Sequence, residues 1–312
     1  MVDVPPAGRV EHGRNEPPTT AFQVRMRRSQ DLARRLVADP TTLFGLIIIV
    51  LLILMAIFAP WLTVPNEPDP YQMPRDWSAV RMPPGTPGYL LGTTNEGGDV
   101  LYGIIWGSRT SLQLSVIVVG FAVVFGTIVG SLAAMMGGWI DEVLMRIVDV
   151  LLAIPELIFA LAIAAFLGPS FTNIIIALSL VFWVKFARIM RSQVLIVKNS
   201  DYVDAARAIG DKPLNIYLRD ILPNSITPVT VQATLDMGNV VLLGATLSFI
   251  GLAESGIAEW GVLVSEGQSG IASGRWWAST FPGLMIFLWA LAFNLVGDGI
   301  RDVLDPRTEA GR

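Results

Sequence analysis

Residues Tyr202-Val-Asp-Ala-Ala-Arg-Ala-Ile-Gly210, followed by Ile221-Leu-Pro-Asn224, are a polar helix–glycine–helix element set between long apolar segments. Asn199, Ser200 and Asp201 are residue types that cap helix N-termini. Asp204 puts a second carboxylate in the first turn, where the helix dipole favours it. Ala205, Ala206 and Ala208 make a slim, strongly helical surface, and Gly210 permits the left-handed turn that ends a helix. Pro213 starts the next segment and Pro223 precedes another apolar run. These features fit an ordinary amphipathic loop helix. They fit equally an element that docks on a soluble partner and passes its motion into a membrane.

The surroundings make the chain a membrane protein. Of its 312 residues, 53% are hydrophobic and 15% charged, against roughly 25% charged in soluble domains. Residues 40–66, 110–140, 157–184 and 276–297 carry no charge, and a bilayer core needs about 20 apolar residues per helix. Cysteine is absent and the single histidine, His12, lies in a polar N-terminal tail. That excludes disulfides, thiolate metal sites and most histidine chemistry, so no catalytic and no metal-binding residue is assigned. The first apolar run begins near Thr42, behind a Pro- and Arg-rich tail. It is long enough to span, so it is read as a span rather than a cleavable signal.

Six spans are predicted, near 42–62, 112–136, 146–167, 171–190, 224–252 and 279–300, in an all-α polytopic membrane protein. Gly168-Pro169-Ser170 is the turn that divides the third from the fourth. With the N-terminus inside, 18 of the 22 Lys and Arg residues fall on the inner side and only Arg75, Arg81, Arg109 and Arg275 outside. The positive-inside rule therefore puts both termini and the 190–223 loop in the cytoplasm. The resulting organisation is a cytoplasmic tail (1–41), a first span (42–62), an extracytoplasmic loop (63–111), a core (112–300) holding the 190–223 loop, and a C-terminal tail (301–312). Within the tail, 1–20 reads as disordered and 21–38, with its arginines, as an amphipathic helix on the anionic inner leaflet. The Pro- and Gly-rich 63–111 loop reads as an irregular cap ending in a short amphipathic helix near 98–108. Trp260, Trp276 and Trp277 mark the outer interface.

Several motifs together resemble one family. Asp204-Ala-Ala-x-x-x-Gly210 with Ile221-Leu-Pro223 resembles the "EAA" loop of ABC importer permeases. Leu91-Gly-Thr93, Gly97-x-Asp99, Gly137-Gly138, Met145-Arg146, Leu247-Ser-Phe-Ile-Gly-Leu252, Glu259-Trp-Gly261, Pro282-Gly283 and Phe293-Asn-Leu-x-Gly-Asp298, closed by Asp305-Pro-Arg307, resemble the second, C-type permease of the dipeptide/oligopeptide/nickel branch. The chain departs from that pattern where Asp204 replaces a glutamate, Asp220 a histidine, and Thr94 and Gly98 an Asp and an Arg. The resemblance implies an ABC type I importer permease fold in a prokaryotic cell membrane. It also implies a homologous second permease, two ATPase subunits or domains and an extracytoplasmic substrate-binding protein. The implied ATPase-coupling residues are Tyr202, Asp204, Ala205, Ala206, Arg207, Gly210, Leu222 and Pro223. The chain has no G-x-x-x-x-G-K-[ST] phosphate loop, so ATP and Mg are expected on the partner ATPases, with no cofactor on this chain and no nucleic-acid partner. The implied cargo is di- or oligopeptides, moved by alternating access; nickel chelates and oligosaccharides are the alternatives within the family. An ion-coupled secondary transporter and an intramembrane enzyme are the readings from other classes.

Polar residues inside spans are the candidates for a translocation pathway, because an Asp at the bilayer centre costs about 2.5–3.5 kcal/mol on insertion scales. Asp236, Asn239 and Glu156 are those candidates. For each, an interhelical structural bond is the competing reading. Arg146 and Asp149, three apart, are expected to pair on one helix face.

Overall fold

The computed structural model describes residues 34–304. The readings for 1–20 and most of 21–38, and the Asp305-Pro-Arg307 motif, lie outside the described residues. The described chain is helical, with only isolated β-bridges, three within the 63–99 loop and one joining Gln72 to Ile257.

Helix α1 (Pro40–Leu62) opens on a built cap. Asp39 Oδ2 accepts from Thr42 N at 2.8 Å and from the Thr41 and Thr42 hydroxyls, and Pro40 supplies a first-turn residue that needs no N–H bond. These bonds, the Thr41 hydroxyl's first, hold the Asp39 carboxyl down at about 2. Helix α2 (Val100–Met136) runs unbroken for 37 residues. The separate helix expected near 98–108 does not exist. Nothing at 109–111 breaks a helix, so the amphipathic segment and the second span fuse into one rod of about 55 Å. A rod of that length exceeds a bilayer core of about 30 Å.

The third span is also corrected. It is two helices, α3 (Gly138–Leu152) and α4 (Glu156–Leu167), that meet at 89°. The bend falls at Ala153-Ile154-Pro155. Proline has no N–H to donate, and its ring pushes the preceding residue out of helical φ/ψ. Helix α5 (Phe171–Val197) is nearly two turns longer than expected. The 190–223 segment holds α6 (Asp201–Ala208), α7 (Pro213–Ile216), a π turn over Tyr217–Ile221 and α8 (Leu222–Ser225). Helix α9 (Thr227–Leu247) ends in a second π turn, Ser248–Leu252, where Gly251 takes φ +96°. The next segment contains a helix that was not foreseen, α10 (Trp260–Ile271), capped by Glu259, and the described chain closes on α11 (Trp277–Leu304). Among the described residues five helices are long and apolar enough to cross a membrane, and the bent α3–α4 pair makes a sixth if it counts as one span.

Without a hydrophobic drive between helices in lipid, close backbone approach and satisfied polar groups hold such a bundle together. Helices α2 and α5 pack along most of their length. A Cβ added at Gly126 would sit 2.5 Å from Phe186 Cβ, and one at Gly130 would sit 2.3 Å from Ala187 O. Helix α11 lies against α1, α9 and α10. Its buried Trp289 donates to Met237 O at 2.9 Å and meets the rings of Trp260 and Phe293. Trp260 donates in turn to Ile104 O at 3.1 Å. Outside, the 63–99 cap is sewn to the bundle by Trp277 Nε1 donating to Thr93 O and by Arg75 bridging Glu96 and Glu266.

Gly130→Val is expected to destabilise the fold by at least the ~1–3 kcal/mol of an overpacked core, read as a lower thermal midpoint in detergent. Gly120→Val, on an open face of the same helix, is expected to leave the midpoint unchanged.

Candidate functional site

The 201–223 segment is a projecting helix on a stiff base. Ser200 precedes α6, but its hydroxyl donates to Val197 O and leaves the helix without a side-chain cap. The first turn carries Asp201 and Asp204 instead, and Asp204 pairs with Arg207 at 2.8 Å. The helix ends in a Schellman motif: Gly210 N donates to Arg207 O and Asp211 N to Ala206 O. Gly210 has φ +83°, and no atom lies within 4 Å of where its Cβ would stand. Backbone conformation, not space, selects glycine there. Asp211 then accepts from Lys212 N and Asn215 Nδ2, and the Asn215 bond leads in drawing its carboxyl below the usual range.

The base is anchored by apolar side chains. Val203, Ile216 and Ile221 are fully or almost fully buried in the main core, and Ala206 and Leu222 pack against it. Tyr217 is bonded to Ser131 of α2 at 2.8 Å. Of the sequence-selected residues, Tyr202, Asp204, Ala205, Arg207, Gly210 and Pro223 are exposed, whereas Ala206 and Leu222 face inward. Sequence reading missed Ile209 and Leu214, which are 84% and 66% exposed beside them. An isoleucine directly before the helix-ending glycine of a polar loop was the available signal.

The second feature lies among the spans. Asp236 on α9 is fully buried, and its Oδ1 receives Lys185 Nζ of α5 at 3.0 Å, Gln232 at 3.2 Å and Asn239 at 3.4 Å; Oδ2 has no partner. Glu156, the first residue of α4, meets the same ammonium at 3.1 Å and is 44% exposed. The structure thus gathers all three selected polar residues around a lysine that sequence reading had taken for an inner-surface charge. Two acidic residues in apolar segments needed a cation, and Lys185 sits in the apolar run of α5. Asn239 is exposed and, with Leu242 a turn further on, marks an open face of α9.

The expected Arg146–Asp149 pair is replaced. Asp149 pairs with Arg188 of α5, and Asp141 is gripped by Arg191 through two bonds of 2.6 Å. The acidic side chains of α3 thus meet arginines of α5 rather than one on their own helix.

Comparison with known proteins agrees with this architecture. Residues 122–310 match the family described as binding-protein-dependent transport system inner membrane component, and 28–84 match the N-terminal TM domain of oligopeptide transport permease C. The chain belongs to this family of permease components; it is an all-α, multi-pass membrane protein of bacterial ABC importer type. It is 39% identical to a probable D,D-dipeptide transport system permease of Escherichia coli, over 86% of this chain and 88% of that one. It is 38% identical to a dipeptide transport system permease of Alkalihalophilus pseudofirmus, over 95% of each. Among solved structures it resembles a chain of the inward-facing MetNI methionine ABC transporter, with a TM-score of 0.55 at 18% identity over 66% of this chain and 98% of that one.

Lys185→Met strands Asp236 as a buried, unpaired charge. The variant is expected to lose ~3–5 kcal/mol of stability, with a lower thermal midpoint by tryptophan fluorescence. Pairing it with Asp236→Asn is expected to recover most of the loss.

Proposed function

We propose that this chain is one of two homologous permeases in an ATP-driven importer of di- and oligopeptides. It forms half of the translocation pathway and works by alternating access. ATP and Mg act on two partner ATPase subunits or domains, and an extracytoplasmic binding protein delivers cargo. Both termini and the 190–223 loop face the cytoplasm, as the distribution of lysine and arginine requires. The observation that carries this reading is α6: a short, alanine-rich helix with an exposed apolar tip, tied through Val203, Ile216, Ile221 and Tyr217 to α2 and α5. A push on such a helix reaches the spans because its base cannot yield separately. Tyr202, Asp204, Ala205, Arg207 and Ile209 would meet the ATPase, with Gly210 setting the turn that presents them. Glu156 and Asn239 would border the pathway, with Asp236 buried behind them, because a half-exposed carboxylate among spans cannot face hydrocarbon. Peptide cargo is supported by the names of relatives alike over nearly the whole chain.

The test is purification from native membranes followed by reconstitution. Co-purification of a second permease and ATPases, with ATP- and binding-protein-dependent uptake of labelled dialanine, is the expected result. A chain that purifies alone and transports under an ion gradient would sink the proposal, and uptake of a metal chelate or oligosaccharide in place of peptide would reassign the cargo.

Ile209→Asp puts a charge at the exposed tip and is expected to lower ATPase co-purification at least tenfold while the permease pair still forms. Gly210→Val forces a β-branched residue to positive φ, and is expected to uncouple ATP hydrolysis from uptake.

A further inference from the structure

The cluster around Lys185 is one positive charge short. Lys185 brings one cation to two carboxylates, Asp236 and Glu156, and among the described residues no other cationic side chain is bonded to either. The two carboxylates are held very differently. Asp236 is fully buried, with Gln232 and Asn239 also donating to the oxygen that takes Lys185, so it has no freedom to leave. Glu156 is 44% exposed, pairs with Lys185 at 3.1 Å, and stands next to the backbone break at Ala153-Ile154-Pro155. It can turn from Lys185 to the open side without unpairing a buried group, because Asp236 keeps the lysine compensated. Asn239, which donates to Asp236 of the same cluster at 3.4 Å, and Leu242, a turn further along α9, are exposed as well. A carboxylate exposed there needs water, a partner protein or a cation.

We propose that Glu156 is a subsite for the free ammonium group of a peptide in transit, with Lys185 and Asp236 as the fixed pair that positions it. This rests on the peptide-importer reading. Bound cargo brings the missing charge, and the cluster becomes neutral. Lys185 remains with Asp236 while Glu156 exchanges its lysine bond for one to the peptide. A cargo whose amino group is acylated offers no cation and does not compete for Glu156.

The experiment uses the complete transporter in proteoliposomes. This chain has no cysteine, so Leu242→Cys supplies its only thiol, a turn from Asn239 on the open face of α9. Dialanine is expected to slow modification of that thiol by a charged methanethiosulfonate at least threefold, while N-acetyl-dialanine does not. The slowing is expected to vanish in Leu242→Cys with Glu156→Gln and to persist in part with Glu156→Asp. Uptake of dialanine at saturating binding protein is expected to fall at least tenfold in Glu156→Gln. Absence of protection by dialanine, equal protection by both peptides, or protection that survives Glu156→Gln overturns the subsite while wild-type uptake of dialanine leaves the importer reading standing. No wild-type uptake of dialanine overturns both.

Discussion

Hydrocarbon offers no hydrogen bonds, so each polar group that this chain carries into the membrane must find its partner in the protein or face water. That constraint governs the interior. The indole N–H of Trp289 and that of Trp260 each reach a backbone carbonyl on a neighbouring helix. Asp236 is buried only in company with Lys185, Gln232 and Asn239. Arg191 of α5 meets the partly buried Asp141 of α3. Such pairs add little net energy beyond cancelling a desolvation cost. Each is satisfied in one arrangement of helices, however, and so selects that arrangement among many of similar packing.

The same requirement joins structure to proposed action. The bundle is tight where glycine lets α2 and α5 touch backbone to backbone. It is broken at Ala153-Ile154-Pro155, beside Glu156, and it ends α9 in a π turn at Ser248–Leu252. Between the rigid and the broken parts stands the 201–223 segment, whose buried residues fasten it to the core and whose exposed tip is free to receive a partner. In the proposed cycle, a force applied at Ile209 would reach the spans through the buried Val203 and the Tyr217–Ser131 bond.

Much of this was legible in the linear sequence, for reasons that act locally. Long uncharged runs identify spans because the bilayer has a fixed thickness. Gly210 was read as a left-handed turn, and φ +83° is what that requires. The misreadings share one cause, which is that a local signal was taken to decide a question settled by neighbours. Residues 98–108 look like a helix of their own, yet nothing after them stops the helix, and stacking against the cap lets it run on. Arg146 and Asp149 are spaced to pair on one face, but Asp149 pairs instead with Arg188 of another helix. Helix α10, with its glycines and single buried glutamate cap, is short and carries too little periodic signal to stand out in a loop.

The sequence by itself determined the helical class, the membrane setting and the position of the projecting helix. Each of these depends on composition or on spacing within a few turns, where the physics is short-ranged. Tertiary structure decided which polar residues share a site and which face each helix presents. Glu156, Lys185 and Asp236 are dozens of residues apart along the chain. They meet because the break before Glu156 and the packing of α5 and α9 bring them within hydrogen-bond reach, and no pattern along any one of those segments records that meeting.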